Sequence, residues 1–445
     1  MTTKKTKSLF PIATALRAGL EGYSFKTLKA DFVAGLIVSL IALPLSMALS
    51  IAVGLPPQHG LYTAIVAGVA AALLGGSATQ VSGPTAAFVV ILAPIVTQYG
   101  LHGIIWCQIM AGVTLIALGT ARLGQLIHRV PHSVTLGFTA GIAVTIGTLA
   151  LNDFLGLGIE KFSGHYIEKA TLILSRIPEM HGQEFAVGLA TLLVIIFLPA
   201  RIAAKLPSPV AGIALGALIA WLFSQQGVAV DALDTRFFYD TPEGGQGAGI
   251  PPYPPVFHLP GGVDSLFKIP SFEEFRTLLM PAFVIAALAG LESLLSATVA
   301  DKMTYTKHDP NAELNGIGIA NILSGLAAGI PATGTIARTA TNIHAGAKTP
   351  FASVFHALLL LLYMVTLAPY ISIMPMASLA ALLLMVAWRM SHVHEFIETV
   401  KKSPKNEVIV LLSTFLLTVF VDMVAGVTIG IVLSFLLPTK DKTHA

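Results

Sequence analysis

Long uninterrupted apolar stretches constrain this chain more than any motif does. Runs at about 31–53, 61–75, 85–97, 103–120, 131–151, 184–198 and 209–224 are followed, after a polar gap, by runs at about 278–299, 314–328, 335–345, 352–368, 375–388, 407–421 and 424–437. A bilayer's hydrocarbon layer takes about 20 residues of α-helix to cross. Lipid offers the backbone no hydrogen-bond partner, so only helices and closed barrels span it. The runs are continuous rather than alternating, which excludes an outer-membrane barrel. Only 11% of the residues are charged and 55% are hydrophobic, whereas a soluble domain carries about 25% charged residues. That balance excludes an ordinary cytosolic enzyme, a disordered chain and a nucleic-acid binder. The predicted fold class is therefore an all-α polytopic membrane protein with 14 transmembrane segments.

Charge placement supports the count. With the N-terminus in the cytoplasm, the inside loops hold Arg122 and Arg129, Arg201 and Lys205, Lys302 and Lys307, Lys348, Arg389, Lys401, Lys402 and Lys405, and the tail holds Lys440 and Lys442. The short outside loops near 54–60, 98–102, 329–334, 369–374 and 422–423 carry no Lys or Arg, as the positive-inside rule requires. Both termini are expected in the cytoplasm of a bacterial inner-membrane protein. No cleavable signal peptide is expected, because the first apolar run is already of membrane length. A single cysteine, Cys107, leaves no internal disulfide or zinc–cysteine site to consider.

The organisation predicted is a cytoplasmic N-terminus (1–30), a first repeat of segments 1–7 (31–224), an extracytoplasmic linker rich in Gly and Pro (225–277), a second repeat of segments 8–14 (278–438) and a short cytoplasmic tail (439–445). The halves share a pattern. Segment 1 is expected to break at Leu43-Pro44-Leu45-Ser46, and about forty residues later Ser82-Gly83-Pro84-Thr85 opens the short segment 3. Segment 8 is expected to be interrupted at Gly290-Leu291-Glu292, and about forty residues later Ile330-Pro331-Ala332-Thr333-Gly334-Thr335 opens the short segment 10. Seven is odd, so the two halves lie inverted in the bilayer. Paired Gly/Pro-interrupted segments at matching positions of two halves point to a transporter's binding site. A helix that begins in mid-membrane leaves its first N–H groups unpaired and carries about half a positive charge at that end. Two such ends, at Thr85 and Thr335, make an anion site.

Three polar side chains inside these segments are singled out. Glu292 sits in mid-segment 8, where a carboxylate is expensive unless it holds a proton or a partner, which makes it a candidate proton carrier. Ser296 lies one turn on, on the same face; it either adds a hydroxyl ligand or packs helix on helix. Arg338 enters segment 10 three residues after Thr335. It either adds a full positive charge to the anion site or forms a salt bridge, Glu292 being one partner. Asp31, Asp301, Glu313 and Asp422 stand at segment ends and are expected to be solvated at the interface. His392 and His394 form a lone H-x-H, weak grounds for a metal. Neither a nucleotide-binding G-x-x-x-x-G-K-[ST] nor H-E-x-x-H occurs. No cofactor is expected.

With these residues in view, the chain resembles the SulP family of anion transporters over roughly residues 25–438. The likeness is carried by Asp31-Phe-Val-Ala-Gly35, Gly54-Leu-Pro-Pro-Gln-His-Gly-Leu-Tyr62, Val81-Ser-Gly-Pro-Thr-Ala-Ala87, Glu292-Ser-Leu-Leu295, Thr306-Lys-His308, Asn311-Ala-Glu-Leu314 and Gly329-Ile-Pro-Ala-Thr-Gly334. Val81–Ile91, Val134–Ile146 and Leu379–Met390 look most like a bacterial branch that carries C4-dicarboxylates such as succinate and fumarate. The resemblance implies a seven-plus-seven inverted repeat of the UraA type. It also implies a core of segments 1–4 and 8–11 that moves, elevator fashion, against a gate of segments 5–7 and 12–14. It places substrate between the starts of segments 3 and 10, beside Leu45, Ser46, Thr85, Ala86, Glu292, Ser296, Thr335, Ile336, Ala337 and Arg338. It implies proton-coupled uptake through Glu292 and a homodimer in the lipid. Leu45 stands where many relatives have Gln, which weakens transfer of substrate from sulfate-carrying members. The cytoplasmic STAS domain usual in the family is not expected after Pro438. Alternatives are a sulfate carrier, a sodium-coupled bicarbonate carrier with Glu292, Ser296 and segment-10 carbonyls as sodium ligands, a passive anion channel, or a non-transporting sensor.

Overall fold

The computed structural model describes residues 10–125, 131–159, 162, 164–203, 206–258 and 268–437. The tail 439–445, Arg129, Lys205, Lys440 and Lys442, and part of the N-terminus and of the linker, lie outside the described residues. In the first half, α1 (Thr14–Leu20), α2 (Phe25–Val53) and α3 (Pro57–Leu74) lead into a three-residue strand β1 (Ser82–Pro84). A 3-10 turn at Ala86–Phe88 then opens α4 (Val89–Thr120), followed by α5 (His132–Leu155), α6 (Tyr166–Arg176), α7 (Gly182–Phe197), α8 (Ala200–Ala203) and α9 (Ser208–Ser224). The connecting region holds α10 (Leu233–Arg236) and a hairpin of β2 (Phe238–Asp240) and β3 (Gln246–Ala248). The second half comprises α11 (Phe272–Thr304), α12 (Pro310–Leu326), β4 (Ala332–Gly334), α13 (Ile336–His344), α14 (Phe351–Ser372), α15 (Met376–Met390), α16 (Val393–Lys402), α17 (Lys405–Phe420) and α18 (Met423–Leu436).

Among the described residues, 7 helices are long and apolar enough to cross a membrane alone, or 8 if the bent pair Tyr166–Glu179 and Gly182–Phe197 counts as one span. The difference from the expected fourteen is one of length. Segments 3 and 4 run on as a single stretch, Ala86–Thr120, kinked at Gly100, whose positive φ of 62° only glycine takes without strain. The helices α7, α9, α12, α17 and α18 have 14 to 17 residues each, and α13 has 9.

Two expected interruptions are absent. The helix α2 runs unbroken through Pro44, and α11 runs unbroken through Gly290, Leu291 and Glu292. Proline removes one backbone bond, but neighbouring helices and the hydroxyls beside it can hold a membrane helix together. Glycine removes none.

The helices pack in two groups. The helices α2, α3, α4, α11, α12, α13 and α14 pack mainly against one another, and α5, α7, α9, α15, α17 and α18 do the same. The groups meet chiefly where α2 lies against α15 and α9. Small residues permit close approach in the absence of a hydrophobic drive between helices. At the α4–α12 crossing, a Cβ on Gly112 would lie 2.5 Å from the Gly318 carbonyl, and one on Gly318 would lie 2.7 Å from the Gly112 carbonyl.

The acidic residues at segment ends correct one expectation. Asp31 and Glu313 are buried, not solvated. Asp31 accepts from Lys348 N (2.7 Å), Thr349 N (3.1 Å) and Thr349 Oγ1 (2.5 Å). Glu313 accepts from Gly76 N (2.9 Å), Ser77 N (3.1 Å) and Gln80 Nε2 (2.6 Å). Each carboxylate satisfies donors of a tight turn reached from a distant helix. Asp301 accepts from His308, and Asp422 caps α18 through Ala425 N. The linker also has more structure than its Gly and Pro content suggests: Met376 N donates to the Asp231 carbonyl and Leu233 N to that of Met374, seating α10 on the α14–α15 corner.

Candidate functional site

The site is assembled around two short strands drawn from opposite halves of the chain. β1 and β4 pair antiparallel, Ser82 with Gly334, Gly83 with Thr333 and Pro84 with Ala332, and all six residues are buried. Irregular backbone at this depth survives only if its polar groups are met, and side chains from five helices meet them. Asn321 Oδ1 accepts from Ala332 N and its Nδ2 donates to the Ala332 carbonyl, both at 2.9 Å. Gly334 N donates to Ser293 Oγ (2.9 Å), Val81 N to Thr339 Oγ1 (3.0 Å), and Ile330 N to Thr63 Oγ1 (2.6 Å). Gln108 Nε2 donates to the Gly329 carbonyl at 2.7 Å. Sequence reasoning passed over Ser293, Thr339, Asn321, Thr63 and Gln108. The signal that would have found Asn321 and Gln108 is the one used for Glu292, a polar side chain in mid-membrane.

Each strand is followed by a threonine and a helix start, one at either end of the pair. Thr85 accepts from Ala87 N at 3.4 Å through its hydroxyl oxygen, and the same hydroxyl lies in electrostatic reach of the Glu292 carboxyl. Thr335 is committed to the opposite strand: its amide and its hydroxyl both donate to the Val81 carbonyl (2.9 and 3.1 Å). No side chain therefore caps α13. Its first turn opens outward, with Ile336 45% exposed and Ala337 exposed beside it.

Arg338 turns back from that turn toward the other half. Its Nε donates to Thr335 Oγ1 at 2.9 Å and its Nη2 to the Pro84 carbonyl at 2.6 Å. The side chain is 3% exposed, and its Nη1 has no hydrogen-bond partner. Gly83 makes room for it; a Cβ there would stand 2.8 Å from Nη1. Two arms of the guanidinium thus fix its orientation and the third is left open. Among the described residues Glu292 and Arg338 form no ion pair: the guanidinium donates to the Pro84 carbonyl, and the carboxyl lies in electrostatic reach of Thr85, the next residue.

Thr85, Glu292, Thr335 and Arg338 are thereby brought together. Ser296 is fully buried and donates to Thr339 Oγ1 at 3.1 Å, so its hydroxyl serves the layer behind the strand pair. Ala86 is buried in the 3-10 turn. Leu45 is half-buried and Ser46 is fully buried, on the unbroken α2, which packs against α13 and β1. The Ser46 hydroxyl has no partner, and its carbonyl lies against Gly60 of α3.

A buried guanidinium with an open donor, beside helix starts that each add a partial positive charge, seeks an anion. In a chain whose helices are of membrane length, the fold and this site define a multi-pass membrane carrier of anions. The sequence model of the Sulfate permease family matches residues 28–414, and the chain belongs to that family, SulP, whose members are anion transporters and not enzymes. It is 39% identical over 431 residues to a Bacillus subtilis protein described as "Putative sulfate transporter YvdB", covering 96% of this chain and 76% of that one. It is 29% identical to the bicarbonate transporter BicA of a Picosynechococcus species, over 94% of this chain and 72% of the relative. Among solved structures, the transmembrane domain of a cyanobacterial BicA superposes with a TM-score of 0.75 at 26% identity, covering 93% of this chain and 98% of that domain. The murine Solute Carrier 26 member A9 shares the fold at a TM-score of 0.81 and 17% identity, over 95% of this chain and 70% of that one.

Proposed function

We propose that this transporter performs proton-coupled uptake of a small dianion, C4-dicarboxylates such as succinate and fumarate in the first place, across a bacterial inner membrane. The observation that carries the reading is the unpaired Nη1 of a buried, doubly anchored Arg338, set between two helix starts. A dianion brings more negative charge than one guanidinium offsets. Moving one elementary charge against the membrane potential costs about 2.3 kcal/mol per 100 mV. A proton held by Glu292 during the loaded step lowers that cost, so uptake should rise as external pH falls.

The motion we infer is an elevator movement of the α2–α4 and α11–α14 group, the core, against the α5–α9 and α15–α18 group, the gate. An apolar cavity of about 190 Å³ between Leu40, Leu43 and Pro44 of α2, Val210 to Ala217 of α9, and Tyr370 near the end of α14 suits a sliding contact without polar locks. We read the chain as fourteen segments in two inverted halves, with both termini cytoplasmic and the protein a homodimer. In support, β1 and β4 occupy matching positions, each ahead of a threonine and a helix start.

Sulfate is the second reading, favoured by the description of the 39% identical relative. Sodium-coupled bicarbonate is the third. The BicA relatives favour it, while the Ser296 hydroxyl it would use is engaged with Thr339. Counterflow in proteoliposomes with labelled succinate, sulfate and bicarbonate, at two pH values and with or without sodium, separates them. Succinate exchange enhanced at the lower pH is the expected result. Sodium-dependent bicarbonate exchange alone would overturn it, and ligand binding without any exchange would make the protein a sensor. A current that reverses at the anion equilibrium potential with no accumulation would make it a channel.

A further inference from the structure

One buried titratable group has no task in the mechanism above. His356 of α14 is fully buried; its ring faces the Ser353 carbonyl one turn back, and neither ring nitrogen has a hydrogen-bond partner of good geometry. Leaving a buried polar group unmatched costs about 1–3 kcal/mol, and a native structure that keeps such a group calls for an explanation. The surroundings show where the ring stands. Gly35 of α2 lies so near that a Cβ on it would be 2.8 Å from Phe355 Cβ and 2.9 Å from the His356 amide. Gly68 of α3 faces Ala357 and the Ser82 carbonyl, at 3.4 and 3.6 Å from where its own Cβ would be. Ser353, one turn before His356, donates to the Gln80 carbonyl at 2.6 Å, just ahead of β1. The ring therefore lies by the strand pair, in electrostatic reach of Arg338. The unpaired guanidinium arm and the poorly matched imidazole are in electrostatic reach of each other and both buried.

We propose that His356 is a second proton-binding residue of the anion site, taking up a proton when an anion sits on Arg338 and giving it up when the anion leaves. With the site empty, an imidazolium would stand beside the guanidinium in a region of low dielectric, where two like charges repel strongly. A bound anion neutralises the guanidinium and turns that repulsion into attraction. Anion and proton then promote each other's binding by the same factor, as linkage requires. Histidine suits the task because its ordinary titration falls near neutrality. The proton comes from the water in which the anion dissolves, resides on an imidazole nitrogen during the loaded step, and leaves with the anion on the far side.

The charged and titratable groups around the ring are few. Arg338 of α13 is the nearest. Tyr363, on the same helix, has its hydroxyl paired with Ser39 of α2, and Asp31 of α2 is taken up by the turn at Thr349. Glu292 of α11 has Thr85 in electrostatic reach. Asp234 and Arg236 of α10 meet only the far end of α14. The stretches 35–42 of α2, 64–71 of α3 and 82–84 of β1 carry no titratable residue. No competing base lies between His356 and the anion site.

The inference rests on the anion-carrier reading, but neither on the identity of the anion nor on the role of Glu292. The test is calorimetric titration of the full chain with sulfate and with succinate, in buffers of different ionisation enthalpy, on the wild type, His356→Gln and Glu292→Gln. Protons taken up per anion bound appear as the buffer dependence of the heat. The wild type and Glu292→Gln should both take up protons on binding, and affinity in Glu292→Gln should fall with rising pH by up to about tenfold per unit, the limit for one linked proton. His356→Gln should lose this share of the uptake and flatten the profile to under about twofold. Unchanged proton uptake in a folded His356→Gln protein overturns the proposal. If that variant does not fold, Glu292→Gln alone decides: complete loss of proton uptake there refutes a role for His356. Binding of either anion without any proton uptake by the wild type refutes the proposal and leaves the carrier reading standing. No binding or exchange of sulfate, succinate or bicarbonate refutes both.

Discussion

Replacing Arg338 by methionine separates the anion site from the fold. The two side chains are of comparable length, and exchanging a buried charge for an apolar group of similar volume is often neutral or stabilising for the fold. What is lost is specific. The Pro84 carbonyl and Thr335 Oγ1 lose donors now at 2.6 and 2.9 Å, and the site loses the unpaired Nη1. A hydrogen bond to a charged group contributes about 1.5–3 kcal/mol. At 1.4 kcal/mol per decade, one such contact to a bound anion corresponds to about a 10- to 150-fold weaker Kd. Residual binding should persist, because the helix starts at Thr85 and Thr335 keep their partial charges. Arg338→Lys should recover only part of the loss, since one ammonium cannot hold both anchors and still present a directed third donor. Calorimetric titration with sulfate and succinate, on protein shown to be folded by its thermal melting, measures the effect. A Kd within twofold of wild type in folded Arg338→Met would remove this residue from the site and with it the central argument for an anion between the two helix starts.

Three other outcomes follow from the same geometry. Gly83→Ala places a Cβ 2.8 Å from Arg338 Nη1, so the pinned guanidinium must shift, and anion affinity should fall several-fold while thermal stability changes little; equal loss of both would mean that the strand pair, not the arginine, is disturbed. Glu292→Gln should leave anion exchange measurable but abolish most of the acid stimulation of uptake in proteoliposomes, and full acid-stimulated accumulation by this variant would rule out the proposed proton role. Asp31→Ala strips the partner from two amides and a hydroxyl in a buried turn and should destabilise the protein by about 3 kcal/mol, seen as a lowered melting temperature in detergent, whereas an unchanged melting temperature would mean that water replaces the carboxylate.

How the site is built explains which parts of it could be read in advance. That helices start after Thr85 and Thr335 follows from local signals, Gly and Pro just ahead of a threonine, repeated at matching places; that the first of them runs on to Thr120 does not. That Glu292 and Arg338 matter follows from the expense of charge in an apolar run. The expected breaks at Pro44 and Gly290 did not materialise, because proline and glycine signal a possible interruption while the neighbours of a helix decide whether it occurs. Asp31 and Glu313 looked like interfacial acids because their neighbours in sequence are polar. Their actual surroundings are turns at residues 348–349 and 76–77, which no local pattern connects to them.

The sequence by itself determined the membrane class, the approximate helices and the two candidate helix starts, because hydrophobic burial and backbone satisfaction act over a few turns of chain. Tertiary structure alone decided that Arg338 anchors on Pro84 rather than pairing with Glu292, that Ser296 serves Thr339, and that His356 lies unmatched beside the same site. Those outcomes depend on the pairing of residues 82–84 with 332–334, segments far apart in the chain, and on which donor remains unused once the buried partners have been matched.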